Sequence, residues 1–285
     1  MGSKSEYWSG VVPTIQYKLS KHEFERLQGL VRQHTGIELS DSKRQLVYSR
    51  YSSRLRALGL DTFQEYCDLV DQGDHAELNE FASAITTNFT RFFREPHHFE
   101  FLQNLVADHA HERKLRIWSA GCSTGEEPYS IAITLLDSIS DIDAWDIKIL
   151  ATDIDGNALQ VASNGIYPRG HVETIEPQAL RRWFKKGRGQ REGSARIAPA
   201  ARELIRFREL NLIGPWPMRH HFDVIFCRNV MIYFAQELKE PLIRQFASQQ
   251  RSGGHLIVGH AENLISSGSL YTPVGNTIYR RNEQG

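Results

Sequence analysis

Cysteine is scarce: Cys67, Cys122 and Cys227 are the three in 285 residues, odd in number, widely separated and without a C-x-x-C pair. That excludes a disulfide framework and a cysteine zinc cluster. No apolar run approaches the ~18 residues of a membrane span, and the longest, Ile131–Leu136, stops far short. Met1–Glu6 lacks the apolar stretch of a signal peptide, and Glu6 stands where a myristoylation site requires Ser or Thr. Net charge is missing too, since 34 Lys and Arg balance 34 Asp and Glu. Internal repeats and low-complexity tracts are absent. What remains is ordinary globular composition, 40% apolar and 24% charged, in a chain long enough for two domains. A soluble cytoplasmic protein is expected.

The zero balance hides segregation. Five cations and no acid occupy positions 43–56, seven acids and no Lys or Arg occupy 61–80, and ten cations against Glu192 and Glu203 occupy 181–208. Such blocks mark a binding face or a solvated surface. Ser20 with Glu23 forms a capping-box pattern, and Phe24, Leu27, Leu30 and Val31 follow at helical spacing. A second helix, capped by Ser40 or Asp41, runs through Leu46, Val47, Tyr51 and Leu55 to Gly59, with most of its cations on one stripe. Further short helices follow, and no strand-like alternation interrupts them before residue 86.

Beyond residue 110 the period changes. Leu115–Ser119, Ile147–Thr152, Leu204–Leu210, Val224–Cys227 and His255–Gly259 read as strands, with helices at 127–136, about 158–162 and about 236–248. Alternating strands and helices predict a doubly wound parallel sheet. Residues 271–280 read as a closing antiparallel hairpin.

Between the first of these strands and its helix lies Ala120–Ser130 (AGCSTGEEPYS), at the carboxyl edge where doubly wound folds bind ligands. The G-x-G-x-x-G fingerprint is absent, and Glu126 and Glu127 suit a pyrophosphate poorly. Two carboxylates fit a cationic, phosphate-free cofactor such as S-adenosylmethionine, and Asp153 at the end of the next strand can accept both hydrogens of a ribose diol.

Four motifs now stand out: Thr87–Glu95 (TNFTRFFRE), Cys122–Ser130 (CSTGEEPYS), Ala151–Asp155 (ATDID) and Cys227–Phe234 (CRNVMIYF). Together they resemble the chemotaxis receptor methyltransferases, the CheR family, from about residue 20 to 280. The resemblance implies methyl transfer from S-adenosylmethionine to glutamate side chains of chemoreceptors, giving glutamyl methyl esters. It implies an α/β fold: a Rossmann-like S-adenosylmethionine-dependent methyltransferase domain at 111–285, a small all-helical N-terminal domain at 1–86 and a linker at 87–110. It also implies an inserted antiparallel β-subdomain at about 181–213. Cofactor contacts carried over by resemblance fall on Asn88, Thr90, Arg94, Glu127, Asp153, Asn211, Leu212, Arg228 and Asn229. Glu127 can pair with the methionine ammonium, Arg94 or Arg228 with its carboxylate, and Asn211 with the adenine edge. His97 and His98 are adjacent, positions that point apart on a helix, so no metal is expected.

A glutamate acceptor, with a pKa near ~4.3, is already ionised at neutral pH and needs no general base. The protein must exclude water and align the carboxylate, with Arg94 and Tyr233 as the candidate catalytic residues that orient it. The Asn/Asp-Pro-Pro-Tyr/Phe motif of amino-group methylation is absent. The competing reading, a methyltransferase acting on nucleic acid or a small molecule, would make the basic stretches phosphate contacts. Against it, no aromatic residues interleave as a stacking platform. The expected partner is the cytoplasmic domain of membrane chemoreceptors, met by helix 43–56. A receptor's C-terminal pentapeptide is a further candidate, added as an edge strand to the β-subdomain around the 187–193 turn. No nucleic acid, no direct membrane insertion and a monomeric state are expected, with recruitment to receptor arrays.

Overall fold

The computed structural model describes residues 16–264 and 269–283; the reading of Met1–Glu6 lies outside the described residues. Four α-helices come first among the described residues: α1 (Lys21–Thr35), α2 (Arg44–Leu58), α3 (Phe63–Asp71) and α4 (His75–Ile85). The Ser20 hydroxyl accepts from Glu23 N while the Glu23 carboxylate accepts from Ser20 N, the reciprocal box that the spacing predicts. Helix α2 instead starts through a 3-10 turn at Asp41–Lys43 with no side-chain cap, because Ser40 and Ser42 bond each other. Phe24, Leu27, Val31, Val47, Tyr51, Leu55, Tyr66 and Phe81 fill one core, with Tyr51 stacked on Phe81 at 4.9 Å.

The second layer system is a seven-stranded sheet. Its strands are β1 (Lys114–Ala120), β2 (Asp146–Asp153), β6 (Ile205–Glu209), β7 (Phe222–Cys227), β8 (Gln250–Val258), β9 (Tyr271–Gly275) and β10 (Ile278–Arg281), in the order β6-β2-β1-β7-β8-β10-β9. Strands β6, β2, β1, β7 and β8 run parallel; β10 pairs antiparallel with β8 and β9, as the closing-hairpin reading expects. Alternate residues serve opposite faces. Ile117, Val224 and Phe226 join the core beneath α5 (His97–Asp108) and α6 (Glu126–Ser138), while Trp118, Ile225 and Cys227 pack toward α11 (Gln236–Ser248). Both faces are covered, so β7 is buried along its whole length. Among the described residues no helix is long and apolar enough to cross a membrane.

The β-subdomain departs from the expectation. A separate antiparallel sheet exists, but its strands are β3 (Ile166–Pro168), β5 (Ser194–Ile197) and β4 (Phe184–Lys186), with β5 in the centre. Ile205–Glu209 falls inside the 181–213 span expected of the subdomain but is an edge strand of the large sheet, as the Leu204–Leu210 reading has it. Pro199 opens the short helix α10 (Pro199–Glu203), since proline at the first helical position forfeits no hydrogen bond. The remaining α-helices of the described residues are α7 (Gly156–Asn164), α8 (Arg169–Val172) and α9 (Pro177–Trp183).

Candidate active site

Strand β1 ends at Ala120 and the chain turns at Gly121, whose φ of +82° favours glycine. A Cβ there would stand 2.4 Å from Val230 Cγ2, so glycine lets this loop meet the turn after β7. Strand β2 ends on Asp153, whose Oδ2 accepts Ser123 N at 2.7 Å and Oδ1 accepts Asp155 N at 2.9 Å. The carboxylate also lines the pocket beyond. Burial pushes the Asp153 carboxyl above its usual range despite these bonds.

All ten sequence-predicted positions line one pocket: Asn88, Thr90 and Arg94 from the linker, Glu127 from α6, Asp153 from β2, Asn211 and Leu212 after β6, and Arg228, Asn229 and Tyr233 after β7. The helical domain closes its other side with Ile37, Glu38, Leu39, Lys43 and Leu46. Phe92 does not line it. That ring is buried edge-on to Tyr167 and Phe184 at 5.0 and 5.2 Å.

Two pairings differ from those the sequence suggests. Arg228 is not held for a ligand carboxylate: its side chain is 2% exposed, with Nη1 3.0 Å from Glu127 and Nη2 3.4 Å from Glu95. It also donates to the Arg94 carbonyl. Glu127, which further accepts Ser119 Oγ at 2.7 Å, is therefore a neutralised carboxylate, its pKa raised by burial against the pull of Arg228. Arg94 is less committed, its guanidinium resting on the Phe89 carbonyl at 3.2 Å and over the Phe89 ring. Asn211, expected at an adenine edge, gives its Nδ2 to the His34 carbonyl at 2.6 Å and so ties the pocket to α1. Tyr233 stands at the mouth, 39% exposed.

Backbone strain concentrates here. Phe93, Glu95, Ser123 and Asn229 all have φ between +49° and +59°, and all lie in the four motifs. His97 and His98, adjacent in the first turn of α5, do not hold their rings apart as expected. Their rings lie 4.1 Å apart and their ligand atoms fall within 4.8 Å of one from Glu95. Arg228 Nη2 also lies 3.4 Å from Glu95 Oε2.

Sequence reading gave no role to Asp155 or Glu262. Asp155 Oδ2 accepts from Thr86 Oγ1 at 2.9 Å and Asn88 Nδ2 at 2.6 Å while Oδ1 caps α7, so one carboxylate fastens the linker to the sheet. Its N-cap role was legible in the Asp-Gly-Asn run. Nothing local marks Glu262.

A doubly wound sheet with a terminal antiparallel hairpin, a glycine turn after β1, a carboxylate in the first turn of α6 and another at the end of β2 define an S-adenosylmethionine-dependent methyltransferase. Comparison with known proteins narrows this. The all-alpha domain of the CheR methyltransferases matches residues 22–86, and their SAM binding domain matches residues 88–280. The chain is 41% identical over 263 residues to a probable chemotaxis protein methyltransferase of Rhizobium etli, covering 90% of this chain and 98% of that one. It is 41% identical to chemotaxis protein methyltransferase 2 of Pseudomonas aeruginosa, with 95% and 97% covered, and 41% identical to the Escherichia coli chemotaxis protein methyltransferase, with 93% of each covered. The chain belongs to the CheR methyltransferase family.

Proposed function

We propose that the protein transfers a methyl group from S-adenosylmethionine to glutamate side chains of chemoreceptors, forming glutamyl methyl esters in the cytoplasm at receptor arrays. The observation that carries this reading is the convergence of four separated motifs on one pocket shared by the catalytic and helical domains. The donor set fits the cofactor: a buried carboxylate at Asp153, an Arg-neutralised carboxylate at Glu127, and amides at Asn88 and Asn229. When bound, S-adenosylmethionine supplies a methyl group activated by its sulfonium. The chain's own residues then have two tasks. Ile37, Leu39, Leu46, Ile85, Ile232 and Phe234 line the pocket and exclude water, which opposes a reaction that cancels opposite charges. Arg94 and Tyr233 offer donors that orient the incoming carboxylate, and no base is needed because glutamate is ionised at neutral pH.

The test is incubation with methyl-labelled S-adenosylmethionine and receptor-containing membranes, followed by base treatment. Methyl esters release volatile methanol; base-stable label, or label in added nucleic acid, would overturn the acceptor. Tyr233→Phe is expected to lower turnover about a hundredfold, the scale of one lost transition-state donor, while cofactor affinity stays unchanged.

A further inference from the structure

Glu262 lies between β8 and β9, outside every motif, and is 6% exposed. Its carboxylate accepts four backbone N–H groups: Oε2 from Gly259 at 2.7 Å and Asn229 at 2.8 Å, Oε1 from Val230 at 3.0 Å and Ile232 at 3.2 Å. Three of those donors belong to one turn, the turn that sets Arg228, Asn229 and Tyr233 around the pocket. Glu262 is not among the pocket's lining residues.

The turn needs such a partner. Asn229 has φ +59°, an uncommon conformation for a residue with a side chain. Its amide and those of Val230 and Ile232 point away from any strand or helix ladder. A buried carboxylate satisfies them together, through charge-assisted bonds stronger than those to a neutral acceptor. Gly259 completes the fit: a Cβ there would come 2.8 Å from the Asn229 nitrogen and 2.4 Å from its Nδ2.

We propose that Glu262 is a positioning residue for methyl transfer, fixing the 229–232 turn so that Asn229 meets the cofactor and Tyr233 meets the acceptor. This rests on the cofactor and site reading above. Glutamine has the same shape but one acceptor oxygen, so in either orientation its NH2 group faces two of the four N–H donors. Glu262→Gln therefore unsettles the turn without opening a cavity.

Calorimetric titration with S-adenosylhomocysteine tests this against a matched control, Asp223→Asn. Asp223 is equally buried, accepts Arg116 N at 2.6 Å and pairs with Arg251 at 2.7 Å, but at the opposite end of β7. Glu262→Gln is expected to weaken binding at least tenfold, while Asp223→Asn lowers the melting temperature and keeps Kd within threefold. Should Glu262→Gln fail to fold, Glu262→Asp keeps the charge one methylene short and is expected to weaken binding more than threefold. A Kd within threefold of the parent's, in whichever of these variants folds, overturns the proposal. Absence of binding by the parent protein would sink the cofactor reading instead.

Discussion

Arg228 is a buried guanidinium between two carboxylates, and its environment sets what single substitutions will do. With Glu95 and Glu127 both at hand, the charge is compensated on two sides. Glu127→Gln removes one partner and leaves the other. Breaking a buried pair outright costs about 3–5 kcal/mol; with Glu95 still present, about 1–3 kcal/mol of unfolding free energy is expected to go, measured by denaturant titration. S-Adenosylhomocysteine affinity should fall in the same variant, because the carboxylate facing the pocket loses its charge. Unchanged affinity would remove Glu127 from the cofactor site. At this scale the motifs told which residues line one pocket, Asp153 and Tyr233 among them, but not what each side chain meets there. The sequence was silent on the Arg228–Glu127 pairing and on Glu262, because both join segments far apart in the chain, and only the closed fold shows which charges meet.

Elements were legible in proportion to their length and periodicity. Helix α11 and the parallel strands fall where hydrophobic patterning puts them; β3 was missed because three residues ending in proline carry no alternation to read. The basic stripe of α2 is also narrower than its composition. Arg44 donates to the Leu19 carbonyl and sits over the Phe24 ring, while Arg54 pairs with Glu77 at the buried end of the acidic block. Lys43, Arg50 and Arg56 remain exposed. Reversing Arg50 and Arg56 to Glu is therefore expected to slow receptor methylation several-fold at low salt, without changing cofactor affinity or melting temperature. Arg54→Glu, by contrast, should destabilise the helical domain. An unaltered rate in the double reversal would end the docking role of α2. The small sheet offers a separate test, since Gly187–Gly193 links β4 to β5 with Arg188 and Arg191 exposed. Calorimetry with acidic–aromatic C-terminal pentapeptides is expected to give heat with the intact protein and none after deletion of 187–193; no heat from either ends the tether.

Across the whole molecule, the two domains meet over the pocket. Ile37 and Phe234 form an antiparallel bridge, Glu38 N donates to the Tyr233 carbonyl at 2.8 Å, and Ala235 N donates to Gly36 O at 3.3 Å. The opposite side is tied by His98, fully buried, whose Nε2 meets Thr277 Oγ1 at 2.9 Å and so joins α5 to the β9–β10 turn. Burial, with Arg228 and His97 beside it and against the pull of Glu95, holds the His98 pKa down to about 3 from 6.5. Between those values the unfolded chain binds a proton that the folded chain refuses. The stability this neutral imidazole permits is thus fully present above about 6.5 and is lost as pH falls toward about 3, at up to ~1.4 kcal/mol per pH unit. Glu127, Asp153 and Glu262, all raised by burial, act in the opposite sense: the folded state keeps their protons at pH values where the unfolded chain has lost them. The net slope therefore mixes both, and a single variant separates them. His98→Gln can keep a bond to Thr277 yet has nothing to titrate, so its melting temperature should drop less than the parent's between about pH 7 and pH 5. Parallel curves for the two proteins would exclude His98 as a source of acid lability.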